Sequence, residues 1–375
     1  MALSKRKLKG LIEYSDLRNT DGLYSEDDVI GVSTDKSMIP TKADLDGVNL
    51  LQYKLFPPKS FAYVADTSRR GDKIALAYND TDRTYIVSTW YVVFHMSSEA
   101  SGVLLSDYLY LFFNRTEFDR YTRANSWGSA REYFWFSDME DILIDLPPVP
   151  IQQKYVDIYK AMVANQQSYE RGLEDLKLSM DALLDKVKHI SEVIPVGDLL
   201  KDVDCRNESG KITEVQGINI SKQFMPSVAD TNGVNLNNYK LVKKGQFAYS
   251  GMQTGRDECI RIALYQGDKP IIISPAYSTF EVKEKSVLAE YIMVWFSRAQ
   301  TDRRGWFMSD SSIRTNLDLE RFYEIKIPVP EIRMQSAIVE LYSAFTARRN
   351  ISEQLKAQIK DICPILIKGS LEDTL

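Results

Sequence analysis

The sequence contains its own second copy. Residues 31–63 read GVSTDKSMIPTKADLDGVNLLQYKLFPPKSFAY and residues 217–249 read GINISKQFMPSVADTNGVNLNNYKLVKKGQFAY, and the two align without a gap at an offset of 186. Identities fall at 15 of 33 positions, among them Pro40/Pro226, Gly47/Gly233, Val48/Val234, Asn49/Asn235, Tyr53/Tyr239 and Phe61/Phe247. Average composition gives roughly one identity in sixteen by chance. The likeness continues on both sides. DLRNTDG at 16–22 matches DCRNESG at 204–210, and YIVSTWYVVF at 85–94 matches residues 271–280. DYLYLFFNR at 107–115 matches EYIMVWFSR at 290–298, and GSAR at 128–131 matches SSIR at 311–314. Each copy closes on prolines, LPPVP at 146–150 and IPVP at 327–330. Any fold for this chain has to be built twice from one plan.

The copies read as two homologous α+β modules, residues 1–150 and 194–330. Short β-rich runs bounded by turn signals, such as 85–94 and 271–280, predict a twisted, partly antiparallel sheet. Apolar periodicity predicts an amphipathic helix near 107–120 in the first module and near 288–299 in the second. The FAY triplets read as core. Gly47-Val48-Asn49 and Gly233-Val234-Asn235 read as a turn entering a strand, with glycine supplying a positive φ.

The segments after the modules, 151–193 and 331–375, have a different character. Large or apolar residues recur at alternating steps of four and three: Tyr155, Tyr159, Met162, Gln166, Tyr169, Leu173, Leu176, Met180, Leu183, Val187 and Ile190. That is a heptad seam on a helix roughly 54 Å long, with Gln166 as its polar step. The C-terminal segment carries a weaker seam at Leu341, Phe345, Arg348, Ser352, Leu355, Ile359, Ile362 and Leu366, and Pro364 is expected to fray its end. A helix with one apolar stripe needs a partner to cover it. The economical expectation is that the two helices pair as an antiparallel coiled coil between the modules, a dumbbell with a pseudo-twofold axis. The alternative is that each helix packs back on its own module.

Composition removes several function classes. Two histidines, His95 and His189, are too few for sites built on several imidazoles. Cys205, Cys259 and Cys363 form no CxxC pair, so neither a disulfide framework nor a cysteine-rich zinc site is supported. Phosphate-binding loops, nucleophile elbows and zinc-hydrolase signatures are missing. No apolar run reaches the ~20 residues of a membrane span, and no hydrophobic segment follows the basic start MALSKRKLKG, so a cytoplasmic location is expected. One catalytic pattern remains. Asp268, Glu281 and Lys283 have the D…ExK spacing of metal-dependent nucleases, against the plainer reading of charges on strand edges. The first copy has His95 and Ser97 where the second has Glu281 and Lys283.

What remains is binding chemistry. Both modules carry an arginine- and glycine-containing turn after FAY, SRRGDK at 68–73 and TGRDE at 254–258. Both carry arginines around a tryptophan later on. The candidate nucleic-acid contacts are Arg69, Arg70, Lys73, Arg115, Arg120, Arg123 and Arg131 in the first module, around Trp127. In the second they are Arg256, Arg298, Arg303, Arg304 and Arg314, around Trp306. Arginine reads guanine by paired hydrogen bonds and also anchors phosphate. The formal charge is −5, with 47 basic and 52 acidic residues. Residues 1–150 hold 17 basic and 22 acidic residues and residues 194–330 hold 18 and 17. A nucleic-acid surface here is therefore a local patch, or one completed by a partner.

Two tandem modules, each followed by a helical spacer, resemble the specificity subunit of type I restriction–modification systems over essentially the whole chain. The spacer starts LPPVPIQQKYV and IPVPEIRMQSAIV are similar to the proline-then-Glu-Gln start of that family. Gln152-Gln153 stand without a glutamate in the first, and Glu331 and Gln335 are separated in the second. The resemblance implies that each module is a target-recognition domain reading one half of a bipartite, asymmetric DNA site. The helices then set the gap and dock methyltransferase subunits. It further implies that this chain is not an enzyme and binds no cofactor or metal itself. S-adenosylmethionine belongs to the partner methyltransferase, and ATP and Mg²⁺ to a partner motor–nuclease subunit where one is present. A stand-alone DNA-binding or coiled-coil adaptor, and the metal-dependent nuclease, are the alternatives.

Overall fold

The structure is a computed structural model that describes residues 3–68, 73–229, 233–252, 254–310 and 315–374. It divides into two compact units, Met1–Tyr169 with Ile351–Leu375, and Glu170–Asn350. The divisions fall inside the long helices and not at their ends.

In the first unit the FAY segment forms strand Phe61–Val64, which is buried along its whole length. It lies inside an antiparallel sheet of order Ile12–Ser15, Tyr91–Met96, Phe61–Val64, Leu76–Tyr78. Alternation along a strand sends successive side chains to opposite faces. Phe61 and Tyr63 therefore enter the larger core, where Phe61 stacks on Phe94 at 5.0 Å and meets Phe113 edge-on at 5.5 Å. Ala62 and Val64 face a second core with Val32, Phe56 and Val87. The hairpin Ile30–Val32/Met38–Pro40 and the pair Lys54–Phe56/Tyr85–Val87 cover that side.

The second unit repeats this plan. Its sheet order is Leu200–Asp202, Ser278–Val282, Phe247–Ser250, Arg261–Leu264. Phe247 and Tyr249 enter the larger core with Phe280 and Phe322, and Ala248 enters the smaller one with Ile218 and Val242. Here Val215–Ile218 pairs in parallel with Ile271–Ile273, fusing hairpin and pair into one four-stranded sheet. The equivalent place in the first unit has only the bridge Val29–Ile86.

Three local expectations need correction. Residues 85–94 and 271–280 are each two strands, Tyr85–Val87 then Tyr91–Met96, and Ile271–Ile273 then Ser278–Val282. A turn between them, closed by Tyr91 N to Ser88 O and Tyr277 N to Ser274 O, carries the chain from the smaller core to the larger. The helix expected near 107–120 is a broken pair, Ser106–Phe113 with Thr116–Ala124, whereas that expected near 288–299 is the single helix Ala289–Phe296, followed by Ala299–Met308. Pro364 does not end its helix, which runs Ile332–Glu372. Burial of Leu366 and Ile367, and a 2.7 Å contact between the Ser370 and Tyr108 hydroxyls, hold the turn beyond it. Those contacts outweigh the ~3 kcal/mol that an interior proline costs.

The central helix spans Val149–Ile190. Every seam position from Tyr155 to Val187 is buried or half-buried, whereas Ile190 is exposed. In the first unit the two helices run antiparallel: Lys154 pairs with Asp373 at 2.6 Å, and Gln166 donates to the Ser352 hydroxyl at 3.4 Å. Two of the polar seam positions thus meet each other. In the second unit the guanidinium of Arg348 lies over Gly172, where an added Cβ sits 2.6 Å from it. The buried stripe is wider than the seam. Val156, Cys363 and Ile367 join the first module's core, and Leu184 and Ile338 join the second's. Each helix half is therefore covered both by the other helix and by a module. Among the described residues no helix is long and apolar enough to cross a membrane.

The helix starts show a register that the prolines conceal. Strands Leu143–Leu146 and Lys326–Val329 are equivalent, paired with Ser4–Lys7 and Glu192–Pro195. That equates Pro147, not Pro150, with Pro330, and Gln152 with Gln335. Both glutamines are fully buried. Gln152 Nε2 donates to Pro147 O and Val103 O, each at 2.8 Å, and its Oε1 accepts from Leu105 N at 3.0 Å. Gln335 repeats the clamp on Pro330 O, Ser286 O and Leu288 N. Gln152→Ala and Gln335→Ala each strand three backbone groups and should cost about 1–3 kcal/mol in urea unfolding. The exposed neighbour Gln153→Ala should stay within about 0.5 kcal/mol of wild type.

Candidate nucleic-acid interface

Each module brings the flanks of two loops together. In the first, the chain leaves Phe61–Val64 through Ala65, Asp66 and Thr67 toward the arginine turn. Phe134 N donates to Ala65 O at 2.9 Å and Thr67 N to Glu132 O at 2.9 Å, which zips this exit to residues 132–134. Those residues close a second loop, in which Trp127 and Tyr133 exchange both backbone hydrogen bonds at 3.0 Å. Gly128 has φ +150, and a Cβ there would lie 1.9 Å from Arg131 O, so the loop requires glycine. Tyr133 stacks on Trp135 at 5.2 Å, and Trp127 and Trp135 are 64% and 53% exposed.

The second module builds the same pair. Leu317 N donates to Gly251 O at 2.9 Å and the Tyr249 hydroxyl to Leu317 O at 2.7 Å. Asp310 N donates to Asn316 O at 2.8 Å and Asn316 N to Asp310 Oδ1 at 2.9 Å, closing the loop around 311–314. The arginine turn forms one helical turn, Thr254–Asp257, with Thr254 Oγ1 bonded to Gly251 O. Trp127 and Tyr133 of the first loop correspond to Asp310 and Asn316 of the second. The frames agree while the side chains they present differ.

The predicted contact residues separate into three groups. Arg69, Arg70 and Arg314 lie outside the described residues. Lys73, Arg120, Arg123, Arg131, Arg256, Arg303 and Arg304 are exposed. Of these, Arg120 meets Glu117 at 3.5 Å and Arg123 pairs with Glu132; both are surface pairs of small worth. Arg115 and Arg298 do not join the surface set. Arg115 lies 3.9 Å over the Phe112 ring and donates from Nε to Phe112 O, and burial pulls its pKa below the ordinary guanidinium value. Arg298 is 8% exposed, stacks on Trp295 and pairs with Asp185 at 3.6 Å. Both sit at the break between the paired helices, where they fasten the scaffold. Trp127 and Trp306 stand inside the arginine clusters and were not among the expected contacts. They are 64% and 51% exposed, and Phe307 beside Trp306 is 88% exposed. A large ring in water beside arginines was the available signal.

The D…ExK residues form no metal site. Asp268 pairs with Lys244 at 2.7 Å, Glu281 pairs with Lys201 at 2.8 Å, and Lys283 donates to Gly197 O. The lysines hold both carboxyls below their usual pKa. Among the described residues no three His, Cys, Asp or Glu side chains are grouped to hold a metal ion. Arg115→Ala and Arg298→Ala are expected to destabilise by about 1–3 kcal/mol through lost packing and hydrogen bonding. Arg303→Ala and Arg304→Ala should change stability by less than about 0.5 kcal/mol, with thermal and urea unfolding as the measurement.

Residues 186–361 match the family described as type I restriction modification DNA specificity domain. In fold the chain is similar to the type I restriction–modification system S subunit from M. genitalium, with TM-score 0.58 and 13% identity. That match covers 100% of this chain and 96% of the other. The HsdS subunit from Thermoanaerobacter tengcongensis aligns with TM-score 0.42 and 14% identity over 100% of this chain and 97% of its own. No curated protein matches the chain.

Proposed function

We propose that the chain is a specificity subunit reading a bipartite, asymmetric DNA target, a reading supported by the match of residues 186–361 to the type I restriction modification DNA specificity domain. One observation carries the reading. The same two-loop frame occurs in both modules, and the side chains at its equivalent positions differ, as at Trp127 against Asp310 and at the exposed Arg123 against the exposed Trp306. A repeated frame with unlike contents suits two unlike half-sites on one duplex. In this reading the loop side chains contact base edges, and the exposed arginines contact bases or phosphates.

The long helices have two roles in the proposal. They fix the gap between half-sites, and they dock methyltransferase subunits that bring S-adenosylmethionine and the methyl-transfer chemistry. ATP and Mg²⁺ belong to a motor–nuclease subunit where one is present. The chain itself contributes recognition and spacing. Its net charge of −5 fits a division in which partners supply much of the phosphate clamp.

Co-expression with a type I methyltransferase subunit, followed by long-read mapping of methylated bases, tests the proposal. The expected result is a stable complex and one bipartite motif. Tight specific binding by the chain alone would instead favour the stand-alone adaptor. Arg256→Ala should relax recognition at one half-site only, by about 1–3 kcal/mol if it reads guanine. Equal weakening on all sequences would assign it to phosphate. Four residues inserted after Leu176 add about 6 Å of helix and should widen the gap in the methylated motif. An unchanged gap would remove the spacing role.

A further inference from the structure

Each module holds a buried ion pair that no contact role explains. Lys36 and Lys222 occupy equivalent hairpin tips with φ of 59° and 60°. Their side chains are 4% and 8% exposed, and they pair with Asp119 and Asp302, which are 13% and 18% exposed. The carboxylates also bond to backbone. Asp119 Oδ1 accepts from Ile74 N at 3.2 Å, and Asp302 Oδ1 accepts from Ile260 N at 2.9 Å. Ile74 and Ile260 are the buried residues on which the two arginine turns land. Lys36 Nζ donates further to Ile74 O at 2.8 Å, and Lys222 Nζ to Phe296 O at 2.6 Å.

The aspartates stand on Thr116–Ala124 and Ala299–Met308. These helices lead directly into the second loop of each module. One carboxylate therefore joins three parts: the hairpin through lysine, the landing of the arginine turn, and the helix that launches the neighbouring loop. Stability does not account for it, because a buried ion pair is commonly no more stable than an apolar pair of the same volume. Burial indeed pulls the Lys36 ammonium below its ordinary pKa despite Asp119 beside it.

We infer that Lys36/Asp119 and Lys222/Asp302 are positioning residues that set the geometry of the two DNA-reading loops, each pair governing one half-site without touching DNA. This rests on the specificity-subunit reading. Removing the lysine frees the hairpin and leaves the carboxylate uncompensated. Removing both leaves a packed apolar interior but no anchor for the amide of Ile74.

The test uses the full chain in complex with its methyltransferase subunit. Four variants are compared with wild type: Lys36→Met, Lys36→Met/Asp119→Leu, Lys222→Met, and the core control Leu104→Ala. Methylation rates are measured on duplexes carrying a base change in one half-site or the other, beside the Tm of each complex. Both Lys36 variants should lose roughly tenfold or more of the discrimination at one half-site, the scale of an ångström misplacement, and keep it at the other. Lys222→Met should show the mirror image. The double variant should recover Tm without recovering discrimination, and Leu104→Ala should lower Tm with discrimination intact. If Lys36→Met does not fold, the double variant carries the same comparison. Discrimination that follows Tm through all variants, or is lost equally at both half-sites, would overturn the inference. A wild-type complex with no half-site discrimination would remove the specificity reading itself, and this inference with it.

Discussion

A helix of some forty residues with an apolar stripe has no stable existence alone in water, and the burial of two such stripes is what the rest of this structure depends on. Each helix gives one half to each compact unit. In the first unit Val156, Cys363 and Ile367 share a core with the strand Phe61–Val64. In the second, Leu184, Val187 and Ile338 share one with Phe247–Ser250. The spacer is therefore no tether attached to a finished module. Helix and sheet are one interior, and a module cannot tilt on its helix halves without opening that interior. The buried Gln152 and Gln335 clamps add direction to this, since only one rotation of the helix start places the amide against Val103 or Ser286.

Duplication within one chain separates scaffold from contact in a way that a single copy does not. Asn19 Nδ2 bonds to Tyr24 O and Leu50 O, and Asn207 Nδ2 to Ile212 O and Leu236 O. Asn49 and Asn235 cap the same short 3₁₀ turn. The Tyr63 and Tyr249 hydroxyls reach the same carbonyl position, Phe134 O and Leu317 O. These sites repeat because each side chain satisfies a backbone group of its own turn or of a neighbouring loop. The copies part at Trp127/Asp310, Tyr133/Asn316 and Arg123/Trp306, where Trp127, Arg123 and Trp306 are exposed and Tyr133, Asp310 and Asn316 half-buried. The backbone pairing repeats, and incomplete burial permits the side chains to differ.

Legibility in the sequence followed the range of the interaction. The duplication, the FAY strands and the seam through Tyr155–Val187 were readable because repetition and period are local facts. The wider stripe was not, since Val156, Leu184 and Ile338 face modules that a heptad count does not know are there. The exit register was out of reach for a similar reason. LPPVP and IPVP do not say which prolines correspond, whereas strand pairing with Ser4–Lys7 and Glu192–Pro195 fixes Pro147/Pro330. Pro364 broke no helix because contacts from the distant Tyr108 hold the turn beyond it. Among the site residues, Arg115 and Arg298 looked like the other arginines. What removes them from the surface is a ring three residues earlier, Phe112 and Trp295, and sequence spacing does not say whether a guanidinium folds back on such a ring or reaches outward.

On the proposed reading, that sorting of the arginines bears on how an acidic chain would serve DNA. With Arg115 and Arg298 committed to the scaffold, and Arg120 and Arg123 partly neutralised by Glu117 and Glu132, few cations remain in each described loop set. The first module has 17 basic against 22 acidic residues, so its long-range field does not favour a polyanion. Non-specific affinity rises with the number of phosphates neutralised and is carried by the backbone alone. A chain poor in such contacts gains little on random sequence, and whatever affinity its loops add is confined to the bases they fit. On the proposed reading, the charge deficit and the rigid loop frames are two sides of one arrangement. The module contributes mostly to the difference between right and wrong sequence, and the sequence-independent grip on phosphate comes from partners.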